Sequence, residues 1–175
     1  MDYSITQNGK PLDRDLYRID TENKVFNTVE NSLVLEFSGE FSWTFRTGRD
    51  CTFITGWGCS FDTDRSCTFN TGGDCSFHTH DRCIFNSITN CTFTTGDACT
   101  FDTFDKCTFI TGNKCTFRTD DKCIFDTGDL CTFSLTDIST HMFKSGSSGV
   151  MIDRKGGKHY LLNDDFIILQ KVLKG

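Results

Sequence analysis

From residue 51 the chain reads Cys51-Thr52-Phe53-Ile54-Thr55-Gly56-Trp57-Gly58, and ten further octapeptides that begin with cysteine follow without insertion or deletion. These octads hold all 11 cysteines of the protein. The period also extends towards the amino terminus, because Trp43 takes the cysteine place of one octad and Leu35-Glu36-Phe37 is a weaker copy. Thirteen octads therefore run from Leu35 to Ile138, and so short and regular a period predicts a repeat architecture.

The first five positions of the octad have the pattern of a β-strand with one buried face. Position 3 is Phe in all thirteen copies, and position 5 is Thr from Thr47 to Thr127 with Ser87 as the one substitute. Positions 1, 3 and 5 point to one side of an extended chain, which places Cys, Phe and Thr inside. Position 4 varies between apolar, polar and charged residues, as expected of side chains that face solvent.

The last three positions have the composition of a corner. Position 6 is often Gly, as at Gly96 and Gly112, which favours a positive φ there. Position 7 is often Asp or Asn, and Lys106, Lys114 and Lys122 occupy position 8. We expect the Thr hydroxyl at position 5 to accept a backbone N–H of the corner.

Such strands bury their inner face only when copies stack, so the sequence predicts an all-β fold, a β-solenoid of 8-residue repeats with a cap at each end. Two octads per coil give a flattened tube with two parallel sheets, and three give a triangular one. We favour two octads, or 16 residues, because Phe then meets Phe at mid-width while Cys and Thr share the narrow edges. The alternative is a 13-strand antiparallel meander, which would leave a stripe of Phe uncovered.

Three regions follow from the pattern. Residues 1–34 are an N-terminal cap leading into the first coil, since Lys24-Val25-Phe26-Asn27-Thr28 already resembles the octad and a three-residue bulge follows it. Residues 35–148 are the octapeptide-repeat solenoid. Residues 149–175 are a C-terminal β cap or assembly segment.

The carboxyl-terminal part departs from the regular octad. After Ile138 the register slips by two, and a last degenerate octad begins at His141. Ser147-Ser148-Gly149 is interpreted as a hinge, and a hairpin is predicted from Val150 to Leu162. The apolar run Phe166-Ile167-Ile168-Leu169 is expected to close the fold or to join a second copy.

Composition limits the kinds of binding partner and the cellular compartment that we expect for the protein. A net charge of −6 in 175 residues argues against phosphate-mediated nucleic-acid binding. No apolar stretch approaches the ~20 residues of a membrane span, and the first residues lack the features of a signal peptide. We expect the protein to be synthesised in a reducing cytoplasm, and we therefore expect its thiols to be reduced. A later location in a virion is compatible with this.

No catalytic, cofactor-binding or metal-binding residue is predicted, and no cofactor. Cysteines eight residues apart lack the short spacing of zinc motifs, and buried Cys behaves as a small hydrophobe. The cluster from His78 to Arg82 is interpreted as a solvated corner. The outer Thr column lacks the second matching column of an ice-binding face, and three-residue corners leave little room for an active site.

The Cys-Thr-Phe-x-Thr-Gly octads resemble an octapeptide-repeat family of uncharacterised proteins from tailed phages and large DNA viruses. The resemblance includes the leader from Leu16 to Lys24 and a closing strand that ends in Asp153-Arg154. It departs where His141 and Gly149 replace expected cysteines. The resemblance implies a viral or phage-encoded β-solenoid, and it carries no activity or site residue.

Three functions remain open. The favoured one is a non-enzymatic structural or interaction module, part of a virion or a tail, which binds a protein or a second copy through its terminal segment. The second is an intracellular acidic-surface protein that acts like a pentapeptide-repeat DNA mimic, against which the row of lysines argues. The third, an enzyme, has no support in the residues, and an ice-binding or metal-thiolate role is less favoured than the first two.

Overall fold

A computed structural model describes residues 3–37, 39, 41–87 and 89–162, and within them the chain is almost entirely β-structure. Two short 310 helices, Arg14–Leu16 and Ile138–Thr140, lie near the two ends. The strands in chain order are β1 (Ser4–Gln7), β2 (Lys10–Pro11), β3 (Arg18–Asp20), β4 (Val25–Asn27), β5 (Leu33–Phe37), β6 (Thr44–Thr47), β7 (Thr52–Thr55), β8 (Ser60–Thr63), β9 (Thr68–Asn70), β10 (Ser76–His78), β11 (Ile84–Asn86), β12 (Thr92–Thr94), β13 (Thr100–Asp102), β14 (Thr108–Thr111), β15 (Thr116–Thr119), β16 (Ile124–Thr127), β17 (Thr132–Leu135), β18 (Met142–Ser145), β19 (Val150–Asp153) and β20 (Lys158–Leu161).

The strands form two sheets, and successive octads alternate between them. Sheet A has the order β2-β1-β5-β7-β9-β11-β13-β15-β17-β19-β20, and sheet B has the order β18-β16-β14-β12-β10-β8-β6-β4-β3. In the repeat each strand pairs in parallel with the strand two octads away, so that Phe77 lies between Phe61 and Phe93. The prediction of a β-solenoid with 16 residues per coil is therefore confirmed, and the antiparallel meander was wrong.

Phenylalanine rings fill the middle of the tube in two interlocking ladders. Phe93 stacks on Phe77 and Phe109 in its own sheet, with ring centroids 4.8 and 5.0 Å apart. It meets Phe85 and Phe101 of the opposite sheet edge to face, both at 5.1 Å. Offset stacking and edge-to-face contacts are the two geometries that aromatic rings prefer, so each ring satisfies both at once.

Cysteine and threonine fill the narrow edges, as the sequence predicted. Thr71 lies beside the thiol of Cys75. The Thr hydroxyl, however, does not accept a corner N–H as expected: Thr71 Oγ1 donates to the carbonyl of Gly72 at 3.2 Å. Thr28 in the first coil does make the predicted bond, accepting the N–H of Glu30 at 3.1 Å.

The corners take their left-handed residue at position 8 rather than at the position 6 that the sequence indicated. Arg82, Ala98 and Lys114 have φ of 59°, 57° and 58°, and the other regular corners repeat this conformation. Position 6 needs Gly for a different reason, since a Cβ at Gly96 would collide with Asp81 Oδ1 of the preceding coil. That carboxylate lies there because it accepts the N–H of Asp97 at 2.8 Å.

The solenoid begins with parallel stacking at β4, where Phe26 pairs with Phe45. The sequence placed Leu35 at position 1, but β5 is shifted by two residues. Leu35 pairs with Phe53 and Phe37 pairs with Thr55, so Leu33 takes the cysteine place. The three extra residues between these coils are divided between the two corners, one in the first and two in the second.

The N-terminal residues close the first coil on both sheets. β1 runs antiparallel to β5, with Ile5 opposite Leu35. β3 runs antiparallel to β4, with Ile19 opposite Phe26. Antiparallel strands at this end occupy the backbone groups that an open solenoid would offer to another chain.

At the C-terminal end the predicted register slip is confirmed, since Phe143 of β18 pairs with Phe125. The predicted hinge at Ser147-Ser148-Gly149 was wrong, because these residues form a corner in which Leu130 N donates to Ser147 O at 2.9 Å. Parallel stacking therefore continues through β19, and β20 completes the predicted hairpin with Tyr160 opposite Met151. The run from Phe166 to Leu169 lies outside the described residues.

Candidate interaction surface

The tube offers two flat faces, made of positions 2 and 4, and two narrow edges, made of positions 6 to 8. On the outer face of sheet A, position 2 forms a column of Thr interrupted by Ile84. Position 4 beside it is mixed, and its polar side chains contact their equivalents in the next coil. Asn86 Nδ2 donates to Asn70 Oδ1 at 2.8 Å, and Arg118 lies 3.7 Å from Asp102. The irregular second column argues against an ice-binding plane.

The edge that follows sheet B carries a ladder of Asp and Asn side chains at position 7. Asp97 Oδ1 accepts the N–H of Asn113 at 2.7 Å, and Asn113 Oδ1 accepts that of Asp129 at 2.8 Å. The ladder continues when Asp129 accepts the N–H of Ser147 at 2.7 Å. The sequence pattern showed these residues but not their role, which is to hold successive corners together.

The opposite edge carries an exposed aromatic corner that the sequence did not reveal. The indole of Trp57 lies across the next corner of the edge, and a Cβ at either Gly72 or Gly73 would collide with it. Trp57 keeps 40% of its surface exposed, and Phe41, whose coil precedes it on this edge, is exposed as well. The signal that could have found this contact is Gly73, because glycine at position 7 occurs at this one corner of the repeat.

His78 and His80 are both exposed, as their positions 4 and 6 predicted. His80 lines a shallow depression of about 300 Å³ with Arg46, Asp62 and Asp64. Within the described parts of the chain, no three His, Cys, Asp or Glu side chains come together in a way that suits a metal ion. The two histidines are therefore placed as a solvated corner would place them.

The thiols form two buried columns, one behind each edge, and none is in a disulfide. Each lies under the carbonyls of a corner, so that Cys91 Sγ is 3.4 Å from Thr89 O and 3.9 Å from Gly72 O. Contact with the thiols of Cys107 and Cys75, and then burial, raise the pKa of the Cys91 thiol. All eleven thiols are buried, and a buried thiol packs as a small hydrophobe with a weak hydrogen-bond donor.

The last coil is attached to the body by a polar cluster that the sequence did not predict. Arg154 Nη2 donates to the carbonyl of Thr119 at 2.6 Å and also contacts Asp120 Oδ1 and Thr136 Oγ1, each at 2.8 Å. Arg154 is part of the Asp153-Arg154 pair that the octapeptide-repeat family resemblance includes, but the resemblance did not predict this contact.

A second ion pair closes the same side of the last coil. Lys155 Nζ lies 2.9 Å from Asp137 Oδ2. The hydrogen bonds from Lys155 and Ser139 lower the pKa of the Asp137 carboxyl, and Asp137 in turn raises the pKa of Lys155. Lys155 is exposed and Asp137 is partly exposed, so the contribution of this pair to stability is modest and falls with salt.

Comparison of the chain with protein-family models, with curated proteins and with solved structures gives no match. Over the residues that the structure describes, no helix has the length and apolar character needed to cross a membrane.

Proposed function

We propose that the protein is a non-enzymatic structural and interaction module, a rigid β-solenoid part of a virus or phage particle. One observation carries the structural role: the centre, the corners and the faces of the tube all contain contacts between equivalent residues of successive coils. Phe rings stack at the centre, corner carboxylates accept backbone N–H groups at one edge, and outward side chains pair along the faces. A tube whose successive described coils are joined at the centre, at a corner edge and along the faces resists bending.

The dimensions suit a spacer. Sheet A stacks eight parallel strands from β5 to β19. At a strand spacing of ~4.8 Å, the outermost of them lie roughly 34 Å apart. The proposal of a viral or phage source rests on the octad resemblance alone.

The non-enzymatic part of the proposal is supported by how the polar residues are used. Asp97 and Asp129 hold backbone N–H groups, Asp120 and Asp137 hold the last coil, and the thiols are buried. Among the described residues, the corners of the regular octads have three residues and bring no long loop over either face. Binding through a surface is therefore favoured over chemistry in a cleft.

We place the contact with a protein or with a second copy at the terminal segment, within 149–175. β20 is the last strand of sheet A among the described residues, and Leu161 on it is exposed. A terminal strand is a ready template for pairing with another chain.

The acidic-mimic alternative has one observation in its favour, the row of Asp81, Asp97 and Asp129 along one edge. Two features weaken it. Each of these carboxylates is occupied by a corner N–H, and successive corners lie one strand spacing apart, ~4.8 Å, with the uncharged Asn113 between Asp97 and Asp129, whereas DNA carries a phosphate every ~3.4 Å along each strand. Lys114 lies in the same edge, within the row.

Mass spectrometry of particles purified from infected host cells tests the proposal. We expect peptides of the octad region at a ratio to a known capsid protein that stays constant through successive density gradients. The matched control is the same gradient fraction from uninfected cells. Recovery of the protein solely from the soluble lysate, with none in washed particles, would contradict the virion role and favour the mimic.

A further inference from the structure

His141 occupies the place of a cysteine at the end of the column on sheet B. Met142 pairs with Ile124, so His141 lies opposite Cys123. Its ring contacts Phe125 and Phe143, with centroids 5.9 Å from each. An imidazole therefore stands where every regular coil has a thiol.

The two ring nitrogens have different environments. Nδ1 accepts the backbone N–H of Cys123 at 3.1 Å, so the neutral ring carries its proton on Nε2. Nε2 is buried and makes no hydrogen bond among the described residues. The bond from the N–H of Cys123 requires the neutral form of the ring, because a protonated Nδ1 is a donor and cannot accept.

We infer that His141 is an acid-sensitive attachment of the last coil to the body of the solenoid. Protonation would direct a second N–H at the N–H of Cys123 and place a positive charge beside the rings of Phe125 and Phe143. β18 would then detach from β16. The inference goes beyond the proposed structural role, since it gives one end of the tube a response to pH.

The groups around His141 determine the direction of the effect. Burial lowers the pKa of His141 below 6.5, against the opposing influence of the Asp120 carbonyl and the carboxylates of Asp121 and Asp137. Asp137 is paired with Lys155, and the hydroxyl of Thr140 lies 2.9 Å from the Asp137 carbonyl and 3.3 Å from Asp121 Oδ1.

A histidine whose folded pKa is lowered takes up a proton more readily when the coil is open. Its contribution is fully present above the ordinary pKa of about 6.5 and is lost as pH falls through that value towards the folded pKa. Asp137, whose pKa is lowered, stays ionised throughout this window. His159 on β20, opposite Ile152 of β19, is a second histidine at this end of the tube, so the change is read on β18 and assigned with variants of His141.

Hydrogen exchange of the full-length protein, read by mass spectrometry at pH 7 and pH 5 and corrected for intrinsic rates, tests the inference. We expect protection of a peptide over 141–146 to fall at least about threefold at pH 5. A peptide over 91–111 should keep its protection, because no histidine lies within it. Equal protection of the 141–146 peptide at both pH values would overturn the inference.

Two variants distinguish titration of the His141 ring from a nonspecific effect of low pH on the fold. His141→Cys restores the residue of the column, and His141→Gln keeps a side-chain acceptor that does not titrate. Both should show the same protection at pH 7 and pH 5. A loss of protection at pH 5 that persists in either folded variant would also overturn the inference.

Discussion

The middle coils and the last coil use one octad pattern but obtain their stability in different ways. Phe93 has ring neighbours above, below and across the tube and is fully buried. Phe143 stacks on Phe125 at 4.9 Å and touches Phe133 at 5.5 Å, but it remains partly exposed, and Met142 beside it is 67% exposed. An internal coil is held by its two neighbours, whereas the last coil depends on individual contacts such as those of Arg154.

The largest expected effect is the truncation of a central ring. Phe93→Ala should lower the free energy of unfolding by about 3–5 kcal/mol, because it removes a fully buried aromatic side chain and leaves a cavity. Phe143→Ala is the matched variant at the end of the tube, and it should cost roughly half as much because its ring is partly exposed. Chemical denaturation of both variants gives the comparison, and equal losses would show that the end coil is as well packed as the middle.

Removal of β19 and β20 should change association more than folding. A chain cut after Ser148 loses β19 and β20, which leaves β17 as an open edge of parallel sheet. We expect the octads to fold and then to associate end to end. Light scattering beside the full-length protein at equal concentration measures this. A truncated protein that is as small and as soluble as its parent would make the segment an independent appendage.

A substitution in a middle corner is expected to increase stability. Ala98 has φ of 57°, a conformation that costs an L-residue about 1 kcal/mol relative to glycine. Ala98→Gly should therefore raise the free energy of unfolding by about 0.5–1 kcal/mol. Gly→Ala at position 6 of the same corner, Gly96→Ala, should act in the opposite direction because its Cβ meets Asp81. In thermal unfolding, the Tm of Ala98→Gly should lie above that of the parent protein and the Tm of Gly96→Ala below it.

The smallest effect belongs to an outward side chain. Thr94→Ala lies next to Phe93 in β12, but its side chain faces solvent, so stability should change by less than about 0.5 kcal/mol. The same denaturation series that measures Phe93→Ala checks it. A loss from Thr94→Ala as large as that from Phe93→Ala would mean that the inner and outer faces are assigned backwards.

The sequence was sufficient for the repeating part of the fold because its period fixes which side chains face inwards. Once Phe at position 3 is buried, stacking of the octads follows, and the two-sheet cross-section is favoured over a triangular one because it lets Phe meet Phe at mid-width. The strand register was harder to predict where the period breaks. Leu35-Glu36-Phe37 fits the octad in two registers, and the choice between them depends on how many residues each neighbouring corner contains.

The surface was less predictable, because its contacts cross from one coil to the next. The interaction of Trp57 with Gly72 and Gly73 joins residues about 16 apart and needs the corner geometry before it can be seen. Arg154 reaches Thr119 and Asp120 across two coils, which no local pattern records. The sequence showed that His141 stands where a cysteine is expected. That its ring accepts a hydrogen bond became visible only from the pairing of β18 with β16.

The most direct test of the 16-residue coil is the distance between spin labels placed on its outer positions. The native thiols are buried, so wild-type protein should take up no label and single surface cysteines should be labelled selectively. Labels at Asn70→Cys and Asn86→Cys should show strong dipolar broadening, because these positions are adjacent on sheet A at about one strand spacing, ~4.8 Å. Labels at Asn70→Cys and Thr94→Cys should not, because the two lie on opposite faces of the tube. Broadening in the second pair and none in the first would contradict the account and would indicate three octads per coil.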